Sequence, residues 1–182
     1  KRAFYGSNMI DYVLKRCHIP KIVLHKHINH KESVEIIKSY NPDLLVSILG
    51  NQIFKEQIFN LAPEGCLNLH TALLPKYGGL MPTFWVLKNS EKYTGVSVFY
   101  VDEGIDSGPI LVQEQVEIGS RTQEELIRYT KKIGMDCIVR AIDLIHEKRV
   151  ELIPNDASKR SYFSFPKRED VLLFRQSGKK FF

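Results

Sequence analysis

The chain has 182 residues, of which 43% are hydrophobic and 26% are charged. This size and balance suit one globular domain with a buried core, and no apolar run approaches the ~20 residues that span a bilayer. The start of the chain has no secretory signal pattern, so we expect a cytoplasmic protein without a membrane partner. The three cysteines include no C-x-x-C motif, which argues against a disulfide framework. Cys66 lies in an apolar run and is predicted to be a buried, inert thiol.

The net charge of +5 favours anionic partners. Much of the excess lies late in the chain, at Lys159, Arg160, Lys167, Arg168, Arg175, Lys179 and Lys180. A solvated tail is the ordinary interpretation of such a run. Attraction of phosphate groups or nucleotides is the alternative, and the composition leaves both open.

The first elements are short and end at recognisable breakers. Helical spacing of apolar residues predicts a helix over 8–17, and His18-Ile19-Pro20 ends it. The apolar residues 21–24 favour a short strand, which a histidine-rich loop follows. Asn29 is the predicted cap of a second helix that ends near Tyr40.

The next segments predict the centre of the fold. Residues 44–49 are apolar except for one serine, which is typical of a strand that is buried on both faces. A short helix over 55–61 and a strand over 66–70 follow. This rhythm predicts an α/β, Rossmann-like fold with a mostly parallel twisted sheet flanked by helices.

The remaining elements follow in alternation. Pro82 begins a helix that runs to about residue 89, and residues 94–101 form a strand. A turn-rich connector over 102–109 leads to another strand over 110–118. Thr122-Gln-Glu-Glu125 resembles a capping box, which predicts a long helix to about residue 146. Phe84 and Trp85 are predicted core residues.

Asn68 and His70 are the first candidates for chemistry. Residues two apart in a strand point to the same face, so this amide and imidazole project side by side. They lie where an apolar strand gives way to a loop, and ligands bind at that end of parallel strands. By spacing alone, ordinary backbone hydrogen bonds at a strand end are the favoured explanation of the pair.

Two other groups of polar residues attract attention. The connector 102–109 alternates acids with glycines, which suits a loop that approaches a ligand or a simple turn. It lacks the ligand run and the terminal glutamate of an EF-hand calcium loop. His25, His27 and His30 include a His-x-His spacing, but there is no cysteine nearby. We therefore predict no metal site.

Two blocks of sequence resemble the folate-dependent formyltransferases, a family that includes methionyl-tRNA, glycinamide ribonucleotide and amino-sugar N-formyltransferases. The first block is Asn68-Leu-His70-Thr-Ala-Leu-Leu-Pro75, an N-x-H motif followed by L-L-P. The second runs from Thr94 through Asp102-Glu-Gly104-Ile-Asp106-Ser-Gly108-Pro109. The blocks stand in the family's order, and looser similarity extends over about residues 18–148.

The resemblance implies the formyltransferase fold and an enzyme with 10-formyltetrahydrofolate as its co-substrate. Asn68, His70 and Asp106 are then the catalytic residues. Asn68 and a protonated His70 would stabilise the oxyanion, and Asp106 would assist proton transfer from the attacking amine, without any metal.

The resemblance also implies binding residues. The cofactor-binding set is Gly50, Gln52, Ile53, Phe54, Val101, Asp102 and Gly104. The substrate-binding set is Lys76, Tyr77 and Pro82. For Ile53 and Phe54, plain core packing is the alternative. The aromatic residues of segment 161–166 suit either stacking on a nucleotide base or packing against the domain.

Departures from the family pattern refine these expectations. The family's opening strand-helix unit is expected to be missing, because the chain matches from about 60–70 residues into the pattern. We expect a catalytic domain over 1–153 and a basic aromatic tail over 154–182. Gly78 stands where tRNA-type members carry arginine. This favours a small amine acceptor, such as a nucleotide-linked amino sugar, over a nucleic acid.

Three alternatives stay open beside this prediction. The first is a methionyl-tRNA-type formyltransferase. The second is a formyltetrahydrofolate hydrolase, which would use the same residues with water as the nucleophile. The third is a non-catalytic module that binds folate or RNA, which the missing unit and the basic tail suggest.

Overall fold

The computed structural model describes the backbone of residues 3–182 and the side chains of residues 9–182. The helices are α1 (Ala3–Arg16), α2 (Lys31–Lys38), α3 (Glu56–Phe59), α4 (Pro82–Lys88), α5 (Gln123–His146) and α6 (Arg168–Gln176). The strands are β1 (Leu45–Ile48), β2 (Cys66–His70), β3 (Gly78–Gly79), β4 (Tyr93–Tyr100), β5 (Ile110–Glu117) and β6 (Tyr162–Phe163). None of the described helices combines the length and apolar character needed to cross a membrane.

The main sheet has the strand order β1-β2-β4-β5, with helices packed against it. The predicted α/β class is confirmed, but the sheet is mixed rather than mostly parallel. Strands β1 and β2 are parallel, whereas β2–β4 and β4–β5 are antiparallel. The tight connector over 102–109 returns the chain directly beside β4, and such a short connection can join only antiparallel strands.

Strand β1 lies at the edge of this sheet in the described part of the chain. Burial on both faces was predicted, yet Val46 is 38% exposed and Ile48 is 43% exposed. An edge strand has a neighbour on one side only, so its apolar composition does not guarantee burial. The prediction of a strand over 21–24 is also wrong: these residues are irregular, and their backbone pairs with no described strand.

Helix α2 begins one residue later than predicted. His30, rather than Asn29, is its N-cap, and the His30 Nδ1 accepts a hydrogen bond from the Glu32 N–H at 3.3 Å. Asn29 instead reaches across to another loop: its side chain donates to the Ile53 carbonyl and accepts from the Lys55 N–H. The cap position is therefore filled by a ring nitrogen, which general cap preferences do not favour.

The first core joins the sheet to α5. Leu67 and Leu69 point from β2 towards this helix, and Cys137 and Ile138 pack from the other side. A Cβ at Gly134 would lie 2.7 Å from the Leu69 side chain, so this glycine permits the close approach of helix and strand. The predicted capping box of Thr122 and Glu125 does begin α5.

A second core lies under the C-terminal segment, residues 154–182. Phe174 of α6 is fully buried and stacks on Phe84 of α4 at 4.9 Å between ring centroids. Phe84 and Trp85 are buried, as predicted. The basic charges of residues 154–182 thus belong to a segment that packs on the domain through its aromatic side chains, while the boundary at residue 153 stays a prediction.

Candidate active site

Strand β2 has an apolar face that packs in the core and an opposite face that carries polar side chains. Leu67 and Leu69 point towards α5, so strand alternation turns Asn68 and His70 to the opposite face. Asn68 stands beside Ser47 on β1 and Phe99 on β4. Its side-chain amide makes no hydrogen bond to another described residue, which leaves both N–H groups available to a ligand.

The His70 ring is held at both nitrogens. Its Nε2 lies 2.7 Å from the Tyr77 carbonyl oxygen, and its Nδ1 lies 3.6 Å from Oδ2 of Asp106. A carbonyl oxygen can only accept, so Nε2 carries a hydrogen. The His70 residue as a whole is only 7% exposed. Nδ1 is the ring nitrogen that faces the Asp106 carboxyl group.

Asp106 is fixed by groups from distant parts of the chain. The Gly79 N–H donates to its Oδ2 at 2.7 Å. The side-chain amide of Asn155 donates to the Asp106 carbonyl and to the Gly108 carbonyl, each at 2.9 Å. The backbone of Asp106 has a φ of 49°. This left-handed conformation is uncommon for residues other than glycine, and aspartate adopts it more readily than most.

The connector between β4 and β5 has little freedom. A Cβ at Gly108 would lie 1.8 Å from the Tyr100 carbonyl oxygen, so only glycine fits there. Oδ1 of Asp102 accepts hydrogen bonds from the Gly104 N–H and the Ser107 hydroxyl. These contacts give the predicted cofactor-binding residues Asp102 and Gly104 a defined turn. Val101 precedes them and is tied to β2 by its N–H, which donates to the Cys66 carbonyl at 2.7 Å.

The other predicted cofactor-binding residues lie after β1. Ile53 is 65% exposed, so core packing is excluded for this side chain, and Phe54 is half-buried. Oε1 of Gln52 accepts a hydrogen bond from the Ile28 N–H at 2.6 Å. A Cβ at Gly50 would meet the Ser47 hydroxyl at 2.8 Å. This loop presents an apolar side chain and backbone groups, which is the kind of surface that a flat heteroaromatic ring requires.

The predicted substrate-binding residues have unequal positions. Lys76 is exposed, and Pro82 is half-buried at the start of α4. The Tyr77 ring is buried and stacks on Phe163 at 5.2 Å, and its hydroxyl donates to Glu91. The structure thus brings the carbonyl of Tyr77, rather than its ring, to the site.

Sequence reasoning missed the residues that hold these loops. Asn155 and Ser161 lie in a stretch without periodicity, so no pattern singled them out. The Ser161 hydroxyl accepts from the Tyr77 N–H at 2.8 Å. Only a faint signal was present, the clustering of asparagine, serine and aspartate typical of loops that bind backbone groups.

Cysteine and metal chemistry have little support in this region. Burial raises the pKa of the Cys66 thiol to about 11, so the thiol stays protonated and is a poor nucleophile at neutral pH. Among the described residues, His, Cys, Asp and Glu side chains form no group of three or more that could hold a metal ion. The arrangement at His70 is therefore one of an amide, an imidazole and a carboxylate.

Comparison with known proteins gives a consistent result. Residues 11–142 match the profile of a family described as formyl transferase. A methionyl-tRNA formyltransferase of Kosmotoga olearia is 35% identical over 159 residues, which cover 86% of this chain and 51% of the relative. Another, of Thermodesulfovibrio yellowstonii, is 30% identical over 182 residues, covering 97% and 59%. The chain thus spans about half the length of the curated relatives it matches.

Solved structures show the same fold. WlaRD, a sugar 3N-formyl transferase crystallised with dTDP and 5-N-formyl-THF, aligns with a TM-score of 0.61 and 27% identity over 70% of this chain and 45% of that one. An N-formyltransferase from Helicobacter canadensis, in complex with folinic acid and dTDP-3-aminofucose, aligns with a TM-score of 0.66 and 24% identity. That alignment covers 87% of this chain and 54% of the neighbour.

Proposed function

Because the chain belongs to the formyl transferase family, we propose that it transfers a formyl group from 10-formyltetrahydrofolate to a primary amine. The observation that carries the proposal is the placement of His70 between the Tyr77 carbonyl and the Asp106 carboxylate. Asn68 lies on the same strand face with its amide unengaged by the described residues. These three side chains are the proposed catalytic residues.

The reaction needs an oxyanion donor and a proton acceptor. The amine lone pair forms a bond to the formyl carbon, and the bond from that carbon to N10 of the folate breaks with its electrons on nitrogen. One proton leaves the amine and one reaches N10, so the step is balanced without a redox partner. Between these events the formyl oxygen bears negative charge, which positioned hydrogen-bond donors stabilise.

The hydrogen bonds of His70 decide which of its protons can serve. Nε2–H is engaged by the Tyr77 carbonyl at 2.7 Å, so the proton that can be offered to a substrate is the one at Nδ1. The 3.6 Å from Nδ1 to Asp106 exceeds an ordinary hydrogen bond. This looser pair leaves room for a substrate oxygen or a water molecule to share the proton. Asn68 provides the second donor, and Asp106 accepts the amine proton directly or through water.

The folate would lie across the loops that flank the carboxyl end of β1 and the start of the connector. The exposed Ile53 side chain and the half-buried Phe54 provide apolar contact on one side. Backbone groups from Val101 to Gly104 would line the other. Gly50 and Gln52 shape the first loop, and the hydrogen bond from the Ile28 N–H holds the Gln52 side chain in place.

For the acceptor we propose the amine of a nucleotide-linked amino sugar, a small molecule. Gly78 supports this, because it offers no guanidinium that could contact a phosphate of a nucleic acid at this position. Tyr162 lies beside Gly79 and is 55% exposed, so its ring offers a face to a nucleotide base. The 27% identity to a sugar formyltransferase is consistent with this acceptor.

Methionyl-tRNA is the second candidate acceptor. Two observations favour it: the 35% identity to a methionyl-tRNA formyltransferase and the net charge of +5, which suits a nucleic acid partner. The lysines and arginines of the C-terminal segment would then contact phosphates. Binding of this kind weakens steeply with added salt, whereas binding of a small sugar nucleotide weakens much less.

The test is to supply 10-formyltetrahydrofolate with a panel of amines and to follow the absorbance of the folate product. The panel contains amino-sugar nucleotides, methionyl-tRNA and glycinamide ribonucleotide, with a reaction that lacks amine to detect hydrolysis. We expect transfer to one amino-sugar nucleotide and its loss in Asn68→Ala and His70→Ala. Transfer to methionyl-tRNA alone would show that methionyl-tRNA, and not an amino-sugar nucleotide, is the acceptor. Folate binding without any turnover would refute the proposed enzymatic activity and favour a non-catalytic folate-binding module.

A further inference from the structure

The C-terminal segment touches both loops of the proposed site. Asn155 donates from one side-chain nitrogen to the carbonyls of Asp106 and Gly108, each at 2.9 Å. One carbonyl belongs to Asp106, whose backbone is left-handed, and the other lies two residues later. The Asn155 side-chain amide therefore holds the turn that orients the Asp106 carboxylate. Asn155 lies 49 residues after Asp106 and 47 residues after Gly108.

Ser161 holds the second loop by three hydrogen bonds. Its hydroxyl accepts from the Tyr77 N–H at 2.8 Å, and its carbonyl accepts from the Gly78 N–H at 2.9 Å. Its own N–H donates to the Pro75 carbonyl at 3.2 Å. This loop presents the Tyr77 carbonyl to His70 and the Gly79 N–H to Asp106. Ser161 thus supports both contacts indirectly, because it holds the loop that makes them.

We propose that Asn155 and Ser161 are positioning residues, which set the distance and orientation of the His70–Asp106 pair without touching substrate. The proposal rests on the proposed formyl transfer. Its physical basis is that the Asn155 hydrogen bonds hold a backbone conformation that residues other than glycine adopt infrequently. Without the Asn155 hydrogen bonds the turn can relax, and a displacement of about 1 Å at a reacting group can cost ~100-fold in rate.

The test uses near-isosteric variants of the full chain. Asn155→Asp keeps the shape but turns a carboxylate towards two carbonyl oxygens, so the hydrogen bonds are lost. Ser161→Ala removes the acceptor for the Tyr77 N–H, whereas Ser161→Thr keeps a hydroxyl. Ser158→Ala is the matched control, because among the described residues the Ser158 hydroxyl hydrogen-bonds only to Asp156, in the same segment.

We expect Asn155→Asp and Ser161→Ala to lower kcat by about 10- to 100-fold, with the KM for the folate changed less than threefold. Ser161→Thr should recover most of the loss, and Ser158→Ala should match the natural chain. A structural role alone predicts a different pattern, in which thermal stability falls and kcat at a permissive temperature does not. Unchanged kcat in both variants, or no recovery in Ser161→Thr, would overturn the proposal.

Amide hydrogen exchange gives a readout that does not depend on turnover. Asn155→Asp should speed exchange in residues 102–109, and Ser161→Ala should speed it at Tyr77, whose N–H loses its acceptor, with Ser158→Ala showing neither. If the natural chain formylates no amine, the proposed function fails while this measurement still decides whether the two residues hold the loops. Exchange that is unchanged in both variants refutes the positioning role whatever the activity.

Discussion

Replacing Asp106 by asparagine tests whether the carboxylate charge or only its shape serves the site. An asparagine oxygen can still accept the Gly79 N–H, which now binds Oδ2 at 2.7 Å. It has no negative charge to balance a proton on Nδ1 of His70, which lies 3.6 Å away. The side chains are 8% and 12% exposed, so solvent screens this pair only weakly.

The magnitude follows from this separation. Two unit charges at 3.6 Å attract by about 4–5 kcal/mol at an effective dielectric constant of ~20. The desolvation of both groups offsets part of this attraction, so a loss of about 2–4 kcal/mol of transition-state stabilisation is expected. That corresponds to a fall in kcat of about 30- to 1,000-fold.

The assay is the initial rate of folate product formation with saturating folate and the active amine, compared at equal folded protein. Asp170→Asn is the matched control. Asp170 also pairs with a cation, Lys88 at 3.2 Å, and accepts a backbone N–H, from Lys167 at 2.8 Å. The control should lose some stability and keep its kcat. A near-normal kcat in Asp106→Asn, with folding intact, would refute the role assigned to the charge.

Other expected outcomes concern the fold around the site. Burial, followed by the hydrogen bond to Glu91, raises the pKa of Tyr77 to about 12, so on the order of 2 kcal/mol of stability present below pH 10 should be lost between pH 10 and 12. The unfolding free energy of Tyr77→Phe, measured with urea, should fall less over this pH range than that of the natural chain. An equally steep fall would contradict the role of Tyr77 in this loss. Phe174→Ala should lower the unfolding free energy by about 3–5 kcal/mol, whereas Phe182→Ala, at an 88% exposed residue, should change it little; equal effects would mean that the C-terminal segment is not core. Maleimide should label Cys17 quickly and the two buried thiols, whose pKa burial raises to about 11, slowly. Rapid labelling of all three would contradict their burial.

Local chemistry explains which parts of the fold were predictable. The capping box at Thr122 specifies the start of α5 within four residues, so no distant contact is needed to recognise it. Period-two alternation along β2 turns Asn68 and His70 to one face in any sheet that buries Leu67 and Leu69. Both signals are encoded in neighbouring residues, and both predictions are confirmed.

Local sequence patterns could not predict which strands pair antiparallel or which strand lies at the edge of the sheet. An apolar strand such as β1 has the same composition whether its far side is covered or open, and its side chains proved half exposed. The mixed sheet depends on how β2 and β4 pair across the intervening loop and α4. Such pairing is a property of the whole domain, which local sequence patterns do not encode.

The two walls of the proposed site are built differently, and this bears on how it would work. The His70–Asp106 wall is tied by short hydrogen bonds to Tyr77, Gly79 and Asn155. The loop after β1 follows the strand that lies at the edge of the sheet in the described part of the chain, and the exposed side chains of Leu49 and Ile53 are apolar.

A reacting pair gains from rigidity because misplacement directly raises the barrier, whereas a loop that grips a flat ring can adjust on binding. Changes in the rigid wall should therefore appear mainly in kcat, and changes in the loop after β1 mainly in the KM for the folate. Because the His70–Asp106 pair is buried and the Ile53 side chain is exposed, this division should hold for either proposed acceptor.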